Sequence, residues 1–129
     1  MINTNAFDYI NVLDKAADAS WIRNEVIANN IANADTPYYK RQDVSFEDEL
    51  KKALGSNRYQ TMDDKVAGAR TDSLSARIYT DYAGFSYRLD GNNVDIENEN
   101  VYLAENQLKY QGLLTSINTE FSNLQSVMK

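Results

Sequence analysis

Two long stretches of helical periodicity bracket this chain, and the segment between them keeps no single period. From residue 7 to residue 34 the apolar positions Phe7, Ile10, Leu13, Ala17, Ile27 and Ile31 recur at spacings of three, four and their sums. Such spacing gathers side chains on one face of a helix. No glycine or proline interrupts the run, and its 28 residues as helix are roughly 40 Å long. Its middle is rich in alanine, with Ser20 and Asn24 beside the stripe, so a partner helix can approach closely there.

The second stretch covers residues 95–128. Asp95, Glu97 and Glu99 place negative charge in its first turns, which complements the helix dipole. Val101, Ala104 and Leu108 form one apolar run; Leu114, Ile117, Phe121, Leu124 and Met128 form another with the three-four alternation of a coiled-coil seam. The phase slips between them, and Gly112 lies in the slip, at a cost of about 1 kcal/mol relative to alanine. The two helices are expected to pack as an antiparallel, coiled-coil-like hairpin. Its interface would comprise Ile10, Leu13, Ala17 and Ile27 on the first helix, and Val101, Leu108, Leu114, Ile117, Phe121 and Leu124 on the second.

The first helix ends at an abrupt joint. Asn29, Asn30, Ile31, Asn33, Asp35, Thr36 and Pro37 lead into Tyr39 and Lys40. Pro37 donates no backbone hydrogen bond and disfavours helix at Thr36. Asn33 and Asp35 suit turns at a helix end, and Asn29 shares a helix face with Asn33. Pro37 thus reads as the residue that sets where the helix stops.

The rest of the middle segment, residues 35–94, is expected to hold a short helix over 45–54, opened by a capping box at Ser45 and Asp48 and closed by Gly55. Residues 58–70 read as loop. Residues 76–89, with Ile78, Tyr79, Tyr82, Phe85 and Tyr87, suggest a small β-hairpin. Gly91, Asn92, Asn93, Val94 and Asp95 form a turn signal that opens the second helix. Residues 1–6 are polar and read as a disordered tail. The fold class is mainly α, in one structural domain.

Composition narrows the function. The chain has 129 residues, enough for one domain with a useful core. A formal charge of −6 argues against nucleic acid or an anionic membrane surface as partner. There is no cysteine and no histidine, which removes thiolate chemistry and the commonest acid–base catalyst. The acidic run from Asp90 to Glu99 fails as a calcium loop, since Asp95 stands where glycine is needed and Val94 where a ligand is needed. No apolar run long enough to span a membrane occurs, and the first residues lack the basic and apolar regions of a secretory signal peptide. No phosphate loop or nucleophile elbow is present. The expectation is a protein without catalytic activity, cofactor or metal. Two classes remain from the residues alone: a subunit of a helical tube, or a soluble helical adaptor that binds one partner through an amphipathic coiled-coil face.

Two motifs choose between them by resemblance. Asn30-Ile31-Ala32-Asn33-Ala34-Asp35-Thr36-Pro37 with Tyr39-Lys40 resembles the N-terminal motif of the bacterial flagellar axial proteins, the rod and hook family, and within it the proximal rod members. Gly91-Asn92-Asn93-Val94-Asp95-Ile96-Glu97, then Leu103-Ala104-Glu105-Asn106-Gln107, agrees with it near the other end. Tyr38 stands where the family often has glycine, and Asn100 where it often has methionine. The resemblance implies a structural subunit of the proximal rod in the basal body, part of the tubular drive shaft between the membrane ring with its export gate and the distal rod and hook. It implies as partners copies of the chain, other rod proteins, and the rod adaptor at the ring and gate. It also implies a periplasmic position reached through the flagellar type III export channel without a cleaved signal.

Overall fold

The computed structural model describes residues 5–55, 58–82 and 88–129, with side chains from Phe7 onward. Helix α1, Asn5–Ala32, and helix α4, Ile96–Met128, carry the fold. Ser20 meets Asn106 and Asn30 meets Glu99, so the pair is antiparallel, as the two stripes suggested. The end where α1 stops and α4 starts is the joint end; the other is the open end. α1 begins inside the expected tail, at Asn5, and the rest of that tail lies outside the described residues.

The seam of α4 differs in phase from its hydrophobic pattern. The positions turned inward are Glu99, Leu103, Asn106, Tyr110, Leu113, Ile117, Glu120 and Leu124, a continuous alternation of four and three residues. Polar residues occupy three of those places. Asn106 donates Nδ2 to the Ser20 carbonyl at 2.8 Å and accepts the Ser20 hydroxyl at 2.9 Å. Nearby, the Trp21 and Tyr110 rings lie 6.0 Å apart at a tilt of 49°. Of the six α4 residues expected at the interface, only Ile117 and Leu124 lie on this seam. Val101, Leu108, Leu114 and Phe121 are exposed, Leu108 by 71% and Phe121 by 50%. Reading the seam through its apolar residues alone skipped the polar ones that complete it. On α1, Ile10, Ala17 and Ile27 are buried and Leu13 is half-buried.

α1 also serves a second partner. Its Ala16 and Ala19 pack with Phe46, Leu50, Ala53, Leu74 and Ala76 of the middle segment. Small residues allow that close approach, so the alanine-rich stretch is shared between two neighbours. After the joint, strand β1 (Gln42–Ser45) pairs antiparallel with strand β2 (Arg77–Thr80) in the register Gln42↔Thr80 to Ser45↔Arg77. The expected hairpin within 76–89 is therefore replaced: β2 exists, but its partner is β1, and residues 83–87 of the expected second strand lie outside the described residues.

Helix α2, Glu47–Leu54, starts without a side-chain cap. Ser45 is occupied in β1, and Phe46 is buried instead. Acidic Glu47, Asp48 and Glu49 fill its first turn, and Gly55, at φ 74°, donates to the Lys51 and Lys52 carbonyls. Glu47 ties α2 to both long helices: it accepts from Arg23 at 2.7 Å and from Lys109. The Arg23 guanidinium in particular holds the Glu47 carboxyl well below the usual carboxylate range. The stretch 58–70, expected as loop, contains helix α3, Met62–Gly68. Thr61 caps it by accepting from the Asp64 amide, Val66 is its buried anchor, and Tyr9 of α1 donates to Asp63 at 2.6 Å. One buried valine and one cap suffice against α1, where composition registers only mixed charge.

Candidate functional site: the joint between the long helices

The two motifs singled out in the sequence meet at the joint end and form one polar structure. α1 unwinds after Ala32 through Asn33, which donates its amide to the Asn29 carbonyl at 2.8 Å, and Thr36, whose hydroxyl donates to Asn33 Oδ1 at 3.1 Å. Thr36 to Tyr39 then make a β-turn closed by Tyr39 N–H to the Thr36 carbonyl at 3.3 Å. Pro37 takes its second position and Tyr38, at φ 62°, its third. Proline fixes a negative φ at the second position, so with a positive φ at the third the turn is type II, the kind that glycine serves best at the third place. A bulky residue there carries a strain on the order of 1–2 kcal/mol.

The helix end is closed by Asn92, which is fully buried. Its Nδ2 donates toward the carbonyls of Asn33, Ala34 and Thr36 at 2.8, 3.0 and 2.9 Å. Its Oδ1 accepts from the Val94 amide at 2.7 Å, and Val94 is buried. Arg88 adds a bond from Nη1 to the Ala34 carbonyl at 2.7 Å. These carbonyls belong to the turn that follows α1, while the carbonyls of Asn29, Asn30 and Ile31 in its last turn accept from the Asn33 and Ala34 amides. The turn that ends the helix is thus held by a side chain from the second motif as well as by Pro37. Tyr38 N–H donates to the Asp90 carbonyl at 2.7 Å, and Lys40 Nζ to the Gly91 carbonyl. Gly91 sits at φ 74°, and a Cβ there would stand 3.1 Å from Tyr38 Cδ1, so this turn needs its glycine. Asp95 caps α4, accepting from the Glu97 and Asn98 amides.

Asn30 and Asn93 act as substitute peptides. Buried Asn30 donates to the Gln42 carbonyl at 2.7 Å and accepts the Gln42 amide at 2.9 Å, sealing the outer edge of β1. Tyr39 donates its hydroxyl to the same Asn30 oxygen at 3.1 Å and accepts from Asn29. Asn93 accepts from the Arg41 amide at 2.6 Å and donates to the Asp81 carbonyl at 2.7 Å, which continues the β1–β2 ladder by one rung. Ile31 is half-buried and Asp35 is exposed.

Beneath lies an ion pair that sequence reading missed. Glu99, 1% exposed, accepts from Arg41 Nε and from Asn30 Nδ2. Arg41 also bonds Asp81 at 2.8 Å and lies 5.2 Å from the centre of the Tyr102 ring. Burial pulls the Arg41 guanidinium down, but Glu99, Asp81 and Asp43 together raise it above its ordinary value, so it stays charged. The only signal in the sequence was Glu99 falling in phase with Asn106. Among the described residues of this assembly, the polar groups bond one another and the backbone. The assembly is a rigid elbow that fixes the end of α1, the start of α4 and β1 in one arrangement.

The joint and the helix leading to it are also where the chain matches known proteins. A family model described as flagella basal body rod protein matches residues 10–40. The chain is 37% identical over 119 residues to the flagellar basal body rod protein FlgB of Bacillus subtilis, covering 90% of this chain and 89% of that one. It is 36% identical over 114 residues to the protein of that name in Escherichia coli, and 36% over 108 residues to that of Cereibacter sphaeroides, with 83% of each chain covered in both cases.

Proposed function

This chain belongs to the family of flagellar basal body rod proteins, and from that membership we propose that it occupies the proximal rod, as a non-catalytic link between the membrane ring and export gate and the distal rod and hook. It is a structural rod subunit. Its partners are copies of itself, other rod proteins, and the rod adaptor where the shaft meets the ring and gate; it reaches the periplasmic space by flagellar type III export. The observation that carries the reading is apolar surface on α4 that α1 does not cover: a line of Leu114, Phe121 and Met128 and, on a second face, Val101 with Leu108, all exposed. Five large apolar residues on one helix are more than scattered surface residues, and within each face they repeat at seven positions, the spacing by which helices pack side by side. Ile117 and Leu124 border both this line and the seam to α1. The elbow, through Asn30, Asn92 and Asn93, holds the hairpin in the single shape that a regular lattice requires.

Phe121→Asp tests this. Phe121 is half exposed, so the isolated chain should keep its stability within about 0.5 kcal/mol. In a rod contact the same change buries an unpaired charge at a cost of several kcal/mol, roughly, and rod assembly should fail. Asn123→Asp, at an exposed position on the far side of α4 from Phe121, is the control and should assemble. Equal motility in the two strains, with both proteins present in purified basal bodies, would remove the proposed interface. Export is tested separately: deleting residues 2–6 should leave the folded hairpin intact, as read by circular dichroism, yet trap the protein in the cytoplasm, and normal flagellation in that strain would sink the export role of the tail.

A further inference from the structure

We propose that Tyr38 is a contact between subunits: its ring, projecting from the joint end of the hairpin, seats against the open end of the next rod subunit. Three observations lead here. First, Tyr38 occupies the left-handed region, at φ 62°, in a turn that glycine would make without strain. Backbone strain in a bulky residue persists where something outside the local chain uses it. Second, the fold itself does not use the side chain. The ring is 80% exposed, lying beside Gly91. Leu89, one residue before the carbonyl that accepts the Tyr38 amide, is fully exposed as well. Among the described residues, the two form an apolar projection beside the polar bonds of the joint. Third, the opposite end of the same hairpin presents Phe121, Val127 and Met128, each at least half exposed.

A projection at one end and an unlike apolar surface at the other is the arrangement of a heterologous contact. Such contacts do not close on themselves; repeated, they build an open helical filament. The occupant is therefore the last turns of the C-terminal helix of a neighbouring rod subunit, with the chemistry that this chain shows at its own open end. The contact is continuous with the line through Phe121 proposed above, and it rests on that reading of the chain as a rod subunit.

The experiment uses the full chain in a flagellated host. Tyr38→Gly should relieve the left-handed strain and raise the folding equilibrium constant about fivefold. The same variant should lower the amount of chain recovered in basal bodies by about tenfold, through loss of one aromatic anchor. Tyr38→Phe should assemble like the parent. Tyr38→Asn, which also tolerates the left-handed turn, should follow Tyr38→Gly and guards against an effect of glycine on the chain itself. A photo-crosslinking phenylalanine at position 38 should capture the C-terminal helix of a rod subunit. Stabilisation with undiminished assembly overturns the inference, as do crosslinks confined to other surfaces while the chain is present in basal bodies. Absence of the parent chain from basal bodies would overturn the rod reading with it.

Discussion

Asn92→Asp is expected to destabilise the folded chain by roughly 3–5 kcal/mol, the cost of burying a negative charge against backbone carbonyls. The substitution is nearly isosteric, so its effect is chemical. Asn92 is fully buried, and its amide nitrogen faces the carbonyls of Asn33, Ala34 and Thr36. A carboxylate has no hydrogen to donate; it would set negative oxygen against three carbonyl oxygens. Asn92→Ala removes the donor without adding charge and should cost about 1–3 kcal/mol, the desolvation penalty of buried acceptors left unsatisfied. Pro37→Ala should cost only about 0.4–1 kcal/mol, mainly through the freedom it restores to the unfolded chain, because Asn92 and Arg88 still hold the helix end. Urea denaturation of the three variants should rank them in that order. An Asn92→Asp protein within 1 kcal/mol of the parent, roughly, would show that the cap does not close the helix. In the cell the same order should appear in rod assembly, since a loosened elbow lets the two long helices change angle.

That ranking departs from what the residues around Pro37 suggest, and the departure shows where sequence reading reaches. The ends of α1 and α4 were legible because their determinants are local: the asparagines and proline after Ile31, the acidic residues after Val94. Both motifs were legible as motifs, but that they are one structure was not, because Asn92 and Ala34 are 58 residues apart. Strand β1 was invisible for the same reason. Four residues, Gln-Asp-Val-Ser, carry no pattern until Arg77–Thr80 lies beside them. The seam of α4 was misplaced because Glu99, Asn106 and Glu120 are polar, while the exposed apolar residues Val101, Leu108, Leu114 and Phe121, one or two positions away, spell a period of their own. Those residues face away from α1, and a pattern of hydrophobicity cannot say whether its partner is in the same molecule or the next.

The buried pair at the base of the joint gives the second large effect. Arg41→Ala is expected to cost about 3–5 kcal/mol, because it leaves Glu99 buried with its charge uncompensated. Glu99 is 1% exposed and would keep only the amide of Asn30. Asp81 and Asp43, now facing one another without the guanidinium between them, add repulsion. The loss is not a measure of what the pair contributes: replacing both partners together should be much milder, since a buried ion pair gains little over a neutral one. Arg41→Ala combined with Glu99→Gln should therefore recover roughly half or more of the lost stability, because the glutamine amide carries no charge and still accepts from Asn30. Denaturation of the two single variants and the double variant forms a closed cycle. The pair holds the joint if the double variant is more stable than Arg41→Ala alone. Additive losses would instead assign the effect of Arg41 to its bond with Asp81 and its stacking on Tyr102, and the elbow would be anchored on the strand side and not on α4.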